Sequence, residues 1–429
     1  MKPIFFIFII GFCLRLISCF PIFYNIELAY KNDTPTFKNI AINFASGNGY
    51  SACKAPPYYF DSIRTPGYPL FLSFFYKLRC SDWIIIFTQI LLSSFLILLV
   101  YQTALSYGNQ ISANVSAIFV AFNSHLLVYS GYVLSEILFT LLLTASFFLL
   151  LKKNPNYIKS LAATLLYCMG LLTQPILLYL TPFFLLMVYV SHNGKASLIS
   201  FIFILSVSFS WMSNMNSKTG HFTISSLQAY NSFATYGNYI YSMKKGISEA
   251  ESREAMLLQL DNKPFADCNG SYEYISEMTN KGQGLIYDGI GSLILGIPKF
   301  LTHALLPDIA EIGRVWGWFN SGSGTLSVLN SKGLIEGSKH FFKNTSTGIF
   351  AVIPFIFLWL LTLSFFVFSA IRNRRDLKVI ALVVFIISYI IIPGPASSPR
   401  FTMCVLPLIS LVAGIGIISG KRFLTKSNI

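Results

Sequence analysis

The chain has 429 residues, of which 54% are hydrophobic, 16% aromatic and only 11% charged, with a formal net charge of +14. That composition excludes an ordinary soluble domain of this size. Seven scattered cysteines and five scattered histidines exclude a disulfide framework or a metal cluster at ligand spacing.

Apolar runs of about 20 residues, the length that crosses a hydrocarbon core of roughly 30 Å, recur along the chain, whereas strand-like alternation does not. They fall near 4–23, 83–106, 111–129, 132–151, 158–174, 176–191, 197–214, 347–370, 379–393 and 402–420, which predicts an all-α polytopic membrane protein with about ten transmembrane helices. The first run carries Arg15 in its middle and has no small-residue cleavage site after it, so it reads as a span rather than a removed signal peptide. A further apolar segment, 284–306, is interrupted by Gly and Pro and is expected to be interfacial or re-entrant.

Short loops rich in Lys and Arg stay on the cytoplasmic side. Alternate connections collect Lys2; Lys152, Lys153 and Lys159; Lys195; Arg372, Arg374, Arg375 and Lys378; and Lys421, Arg422 and Lys426. With Asp376 alone against them, these account for +11 of the +14, so the basic balance is topological and implies no nucleic-acid partner. The same parity puts both long connections, 24–82 and 215–346, on the outer side. The expected organisation is a transmembrane core at 1–214 with its first outer loop at 24–82, an outer cap with interfacial helices at 215–346, and closing transmembrane helices at 347–429. Cys53, Cys80 and Cys268 share the outer side, where a Cys53–Cys80 bridge and chance placement are both open.

Polar residues gather at the outer ends of the spans. Asp33-Thr34-Pro35 suits a helix start, and Phe37, Ile40, Ala41 and Phe44 form one apolar stripe of a short interfacial helix closed by Gly47 and Gly49 before Tyr50. Asp33 either caps that helix or serves a site. In "SIRTPGYPLFL", Pro66-Gly67 fits the centre of a type II turn, and Arg64 just before it can grasp a phosphate in a bidentate way or simply meet lipid headgroups. In "YSGYVLSEILF", Glu136 stands where a carboxylate enters hydrocarbon, which calls for a function or for a structural partner. Gln174 precedes Pro175 in an outer hairpin, where turn-making is the simplest role. In "IIIPGPASSPRFTMCVLPL", Arg400 heads the last helix on the outer side, against the positive-inside bias. Two carboxylates and two arginines at a membrane interface suit phosphate-linked lipid chemistry, in which a carboxylate takes a proton and a guanidinium neutralises a departing phosphate. No Walker loop, HExxH or GxSxG motif competes.

These segments together resemble GT-C type membrane glycosyltransferases, especially bacterial relatives of the dolichyl-phosphate-mannose protein mannosyltransferases and of the lipid A aminoarabinose transferase. The likeness is carried by Asp33, Phe37, Ala41, Gly47, Gly49 and Tyr50; by "RTPGYPLFL" with Tyr68; by "LSEILF"; by "WMSNMNSKTGHFTISS"; and by "SSPRFTMCVLPLISLVAG". It covers most of the first 230 residues and the last 30, and leaves 240–345 unmatched. Phe37 stands where Tyr is more usual, and Gln174-Pro175 where Arg-Pro is common. The resemblance implies a GT-C bundle with Asp33 and Glu136 as the catalytic carboxylates, Arg64 and Arg400 on the donor phosphate, and Phe37, Tyr50, Tyr68 and Gln174 lining the substrate pocket. It further implies transfer of a sugar from a polyprenyl phosphate to a lipid, glycan or protein acceptor, on the outer face of a bacterial inner membrane. The sequence requires no cofactor, although some relatives use a divalent metal. Two other readings are an O-antigen polymerase or ligase, which lacks the early Asp and G-x-G-Tyr helix, and a lipid-linked sugar flippase or transporter, in which charges sit at mid-membrane.

Overall fold

The computed structural model describes residues 3–152, 156–260, 270–307, 309–318, 325–343, 350 and 353–418. Lys2, Lys153, Cys268, Lys421, Arg422 and Lys426 lie outside the described residues. Among those described, the regular structure is all helical. In chain order the helices are α1 (Pro3–Ser18), α2 (Phe20–Tyr24), α3 (Thr34–Ala45), α4 (Gly67–Lys77), α5 (Asp82–Tyr107), α6 (Gln110–Ala121), α7 (Ser124–Tyr129), α8 (Glu136–Leu151), α9 (Tyr157–Leu171), α10 (Leu177–Ser191) and α11 (Gly194–Thr219). The region after α11 contributes α12 (Leu227–Tyr230), α13 (Asn238–Lys245), α14 (Glu249–Leu257), α15 (Glu273–Leu305), α16 (Ile309–Val315) and α17 (Thr325–Lys343). The chain closes with α18 (Ile353–Arg372), α19 (Leu377–Ile391), α20 (Pro399–Met403) and α21 (Leu406–Ile415).

Four of these, α5, α11, α15 and α18, are long and apolar enough to cross a membrane, and seven more apolar helices have 10–17 residues. The protein is therefore an integral membrane protein. The segment expected to be interfacial, 284–306, belongs to α15, which has crossing length and a kink at Gly289. Every residue of α21 is buried, and it packs on α5, α6 and α18 at the centre of the bundle. Helices α11, α15 and α18 leave most of their apolar surface outward, as helices meeting lipid do.

The predicted span 111–129 is divided into α6 and α7. Asn123 starts α7 by accepting from the backbone N–H of His125 and Leu126 at 3.1 and 3.2 Å. The broken end of α6 is covered from α1 by the fully buried Arg15, which donates to the carbonyls of Val120 and Ala121 at 3.3 and 3.4 Å, to Gly11 O at 2.8 Å and to Ser93 Oγ at 2.8 Å. A guanidinium against a helix C-terminus meets both its unpaired carbonyls and its negative dipole end.

Connections assigned to one side by charge do share one end of the bundle. The first long loop meets the α9–α10 turn through Gly67 N to Leu172 O at 2.7 Å and Thr65 Oγ1 to Thr173 O at 3.2 Å. It meets the segment after α11 through Ser226 N to Ser62 O at 2.8 Å. Tyr236 then donates to Ile392 O beyond α19 at 2.5 Å. At the opposite end, Asn193 bonds Tyr157 at 3.2 Å and Arg372 bonds Gly416 O at 3.3 Å. The region after α11 also builds a small core of its own from Ala229, Phe233, Ala234, Met256, Tyr274, Ile275 and Met278.

Candidate functional site

Asp33 stands at the N-cap position of α3, yet its side chain makes no capping bond. Thr34 ties the start of α3 to its surroundings, accepting from Lys31 N and donating to Val133 O, both at 2.9 Å. The Asp33 carboxylate instead accepts from Arg64 Nη2 through Oδ1 and from Arg400 Nη2 through Oδ2, each at 2.7 Å. Arg400 also turns its Nε to Glu136 Oε1, so one guanidinium joins the two carboxylates. Asp33, Arg64, Glu136 and Arg400, which lie as far as 367 positions apart in sequence, thus form one ion cluster. Burial alone would raise the Asp33 carboxyl, but Arg64 and Arg400 outweigh it and hold it below its ordinary value.

Each arginine is aimed by local structure. Asp61 Oδ1 accepts from the backbone N–H of Ile63 and Arg64 at 3.1 and 2.8 Å, while Tyr50 OH donates to Arg64 O at 2.9 Å. Ser225 Oγ holds the Ile63 carbonyl at 2.5 Å. The Arg64 guanidinium lies over the Phe37 ring, 4.8 Å from its centroid, an arrangement that an aromatic ring favours without any hydroxyl. Pro66 has ψ −16°, so the expected type II turn does not form and Gly67 opens α4 directly. Glycine is needed there for a close approach: a Cβ would sit 2.8 Å from Leu172 O and 2.4 Å from Thr173 Oγ1. Arg400 is delivered by α20, which is tied to α15 by Thr402 Oγ1 to Ala304 O at 2.7 Å. Glu136 is the first residue of α8 and only 2% exposed. Two atoms of the cluster, Arg64 Nε and Glu136 Oε2, are buried with no hydrogen-bond partner among the described residues.

The other four candidate residues are dispersed around this centre. Phe37 is the platform under Arg64, and the apolar stripe that begins with it faces inward: Phe37, Ile40 and Ala41 are buried and Phe44 alone is exposed. Tyr68 is fully buried, with its ring 5.0 Å from Phe37 and its hydroxyl donating to Gln89 Oε1 at 2.7 Å. Gln174 contacts Ser135 Oγ at 3.5 Å and accepts from Tyr389 at 3.4 Å, beside Glu136 but bonded to neither arginine. Tyr50 backs the Arg64 loop and lines a half-open groove of about 670 Å³ on its other side. Gly47 and Gly49 adopt φ of +83° and +88°, the turn expected before Tyr50. Cys80 is a free thiol, so the Cys53–Cys80 bridge is not formed, although Cys53 is disulfide-bonded.

Sequence reasoning missed Glu311 in α16. Its Oε2 accepts from Lys31 Nζ at 3.0 Å and from Tyr132 OH at 2.7 Å, and Oε1 pairs with Arg314. Lys31 lies two residues before Asp33 and Tyr132 four before Glu136, so Glu311 ties together the segments that present both carboxylates. Nothing in an unmatched loop marks such a residue. Among the described residues no three His, Cys, Asp or Glu side chains lie together as a metal-ligand set. The guanidinium of Arg400 bonds both carboxylates of this centre.

The fold and site define a polytopic helical membrane protein with an arginine–carboxylate centre at one end of its bundle. No protein-family model matches the chain, and a search of curated proteins returns no match. Solved structures that resemble it include the archaeal oligosaccharyltransferase AglB from Archaeoglobus fulgidus, a GT-C glycosyltransferase, in complex with an inhibitory peptide and a dolichol-phosphate (TM-score 0.45, 14% identity, covering 96% of this chain and 50% of that one). The Archaeoglobus fulgidus oligosaccharyltransferase in the apo form gives a TM-score of 0.44 at 12% identity, with the same coverage. The same enzyme tethered to an acceptor peptide gives 0.45 at 13%, covering 96% and 49%. The chain spans about half the length of these structures. At this level of likeness nothing about activity, substrate or partner passes from those enzymes to this chain.

Proposed function

We propose that the protein is a glycosyltransferase that moves a sugar from a polyprenyl-phosphate donor to a lipid, glycan or protein acceptor at the outer face of a bacterial inner membrane. The observation that carries this reading is the cluster in which Arg64 and Arg400 share Asp33 and Arg400 also holds Glu136. It has a base, two phosphate-binding forks and two unpartnered buried atoms at one interfacial point. As it stands, the cluster is a resting state, because an Asp33 carboxylate held low by two guanidiniums is a weak base. A donor phosphate that draws Arg64 and Arg400 to itself frees Asp33 and raises its basicity. The acceptor hydroxyl then attacks the anomeric carbon with inversion, and its proton passes to Asp33. The bond from the anomeric carbon to the phosphate oxygen breaks, and the electron pair leaves on that oxygen, between the arginines. Glu136 keeps Arg400 in place through the exchange.

The test is to incubate purified protein with a polyprenyl-phosphate sugar and measure the released polyprenyl phosphate. Asp33→Asn should abolish release while the protein remains folded; full activity in this variant sinks the reading. Movement of the lipid without bond cleavage would instead favour a transporter. That alternative has less support because Arg15, the charge at mid-bundle, is fully engaged by the α6 carbonyls, Gly11 O and Ser93. Sidedness is tested by cysteine labelling from outside, which should reach a site placed at Asn48 and miss one at Asn373.

A further inference from the structure

The groove behind the Arg64 loop differs in chemistry from the ion centre. Its walls are aromatic rings fixed by hydrogen bonds at their edges. Tyr50 donates to Arg64 O, Trp211 Nε1 to Ile224 O at 2.9 Å, and Tyr272 OH to Phe60 O at 2.7 Å. The rings of Tyr50, Phe60 and Trp211 stand 5.5–6.2 Å apart, centroid to centroid. Around these rings stand polar tips with no hydrogen-bond partner of their own among the described residues: the hydroxyls of Tyr58 and Tyr59, the Asn214 amide and the Lys218 ammonium. Trp211, Asn214 and Lys218 follow one another at i, i+3 and i+7, which brings all three to one face of the last turns of α11.

We propose that this groove is an acceptor subsite for a saccharide. The proposal deepens the glycosyltransferase reading and rests on it for the word acceptor; the binding itself does not depend on it. A sugar ring has C–H faces that stack on aromatic rings and a rim of hydroxyls that need donors and acceptors, and the groove offers locked rings with free polar tips. A polyprenyl tail would use the rings and make no use of the two hydroxyls, the amide and the ammonium. At about 670 Å³ the groove is within the size range of small-ligand sites and holds more than one sugar ring. Tyr50 connects it to the reaction centre, since the residue that lines the groove also sets the backbone of Arg64. A glycan seated there lies against the loop that presents the phosphate-binding guanidinium.

The test uses the full chain in detergent on an array of immobilised bacterial surface oligosaccharides. Wild type should be retained by at least one class of glycan. Tyr59→Ala, at a ring 38% exposed, should weaken retention about tenfold, as loss of a stacked ring does. Lys218→Gln, at an exposed side chain, should also weaken it. Both groove positions are open enough that folding is not at stake. Retention of no glycan by wild type, or unchanged retention by both groove variants, overturns the proposal. So does loss of undecaprenyl phosphate binding by Tyr59→Ala in native mass spectrometry, which would assign the groove to the lipid. Glycan retention without any sugar transfer leaves the subsite standing and removes the glycosyltransferase reading alone.

Discussion

Replacing Arg400 by Gln tests the ion cluster most directly. In the native structure Arg400 Nε faces Glu136 Oε1, and Nη2 lies 2.7 Å from Asp33 Oδ2. Glu136 is 2% exposed and its second oxygen already has no partner among the described residues. Without the guanidinium it becomes an uncompensated buried charge, a change that costs about 3–5 kcal/mol. The Asp33 contact adds at most about 1 kcal/mol, because that side chain is 25% exposed and keeps Arg64. Most of the loss therefore comes from Glu136, and Glu136→Gln in the Arg400→Gln background should recover more than half of it. Arg400→Lys should fall between, since an ammonium cannot present a planar fork to two carboxylates. Thermal unfolding of the detergent-solubilised protein, followed by the loss of the monodisperse peak, measures all four proteins. Arg400→Gln melting with wild type, or a double variant no more stable than the single one, would refute the reasoning.

Gly67→Ala should destabilise by about 1–3 kcal/mol, the usual cost of overpacking, because its methyl group meets the Leu172–Thr173 backbone; an unchanged melting temperature counts against that close approach. Glu311→Gln should lower kcat for sugar transfer with little change in KM, since it loosens the Lys31 and Tyr132 anchors and contacts no substrate; wild-type kcat would remove Glu311 from the support of the site. The Asp33 carboxyl is lowered in the folded protein from a reference value of 3.8, so its stabilising contribution is present above that value and is lost as pH falls through the lower folded one. Wild type should therefore lose more of its advantage over Asp33→Asn at about pH 3 than at about pH 5. An equal difference at the two pH values contradicts the assignment.

Membrane class, helical content, the grouping of alternate loops at common ends and the four charged residues of the centre are all legible along the chain. Those signals are local or compositional: apolar run length, Lys and Arg in short loops, and charges that are costly where they stand. Tertiary structure alone decided how these charges are used. Asp33 could have capped α3, and instead its carboxylate is taken by Arg64 and Arg400, which arrive from loops that sequence leaves unconnected. The partners of Tyr68 and Gln174, the inward turn of the Phe37 stripe, the division of the third predicted span beneath Arg15 and the clamp by Glu311 likewise depend on contacts between distant segments. Such contacts leave no periodicity along the chain, because packing chooses partners by proximity in space. The same residue types at the same positions would read identically in sequence if the bundle had closed in another way.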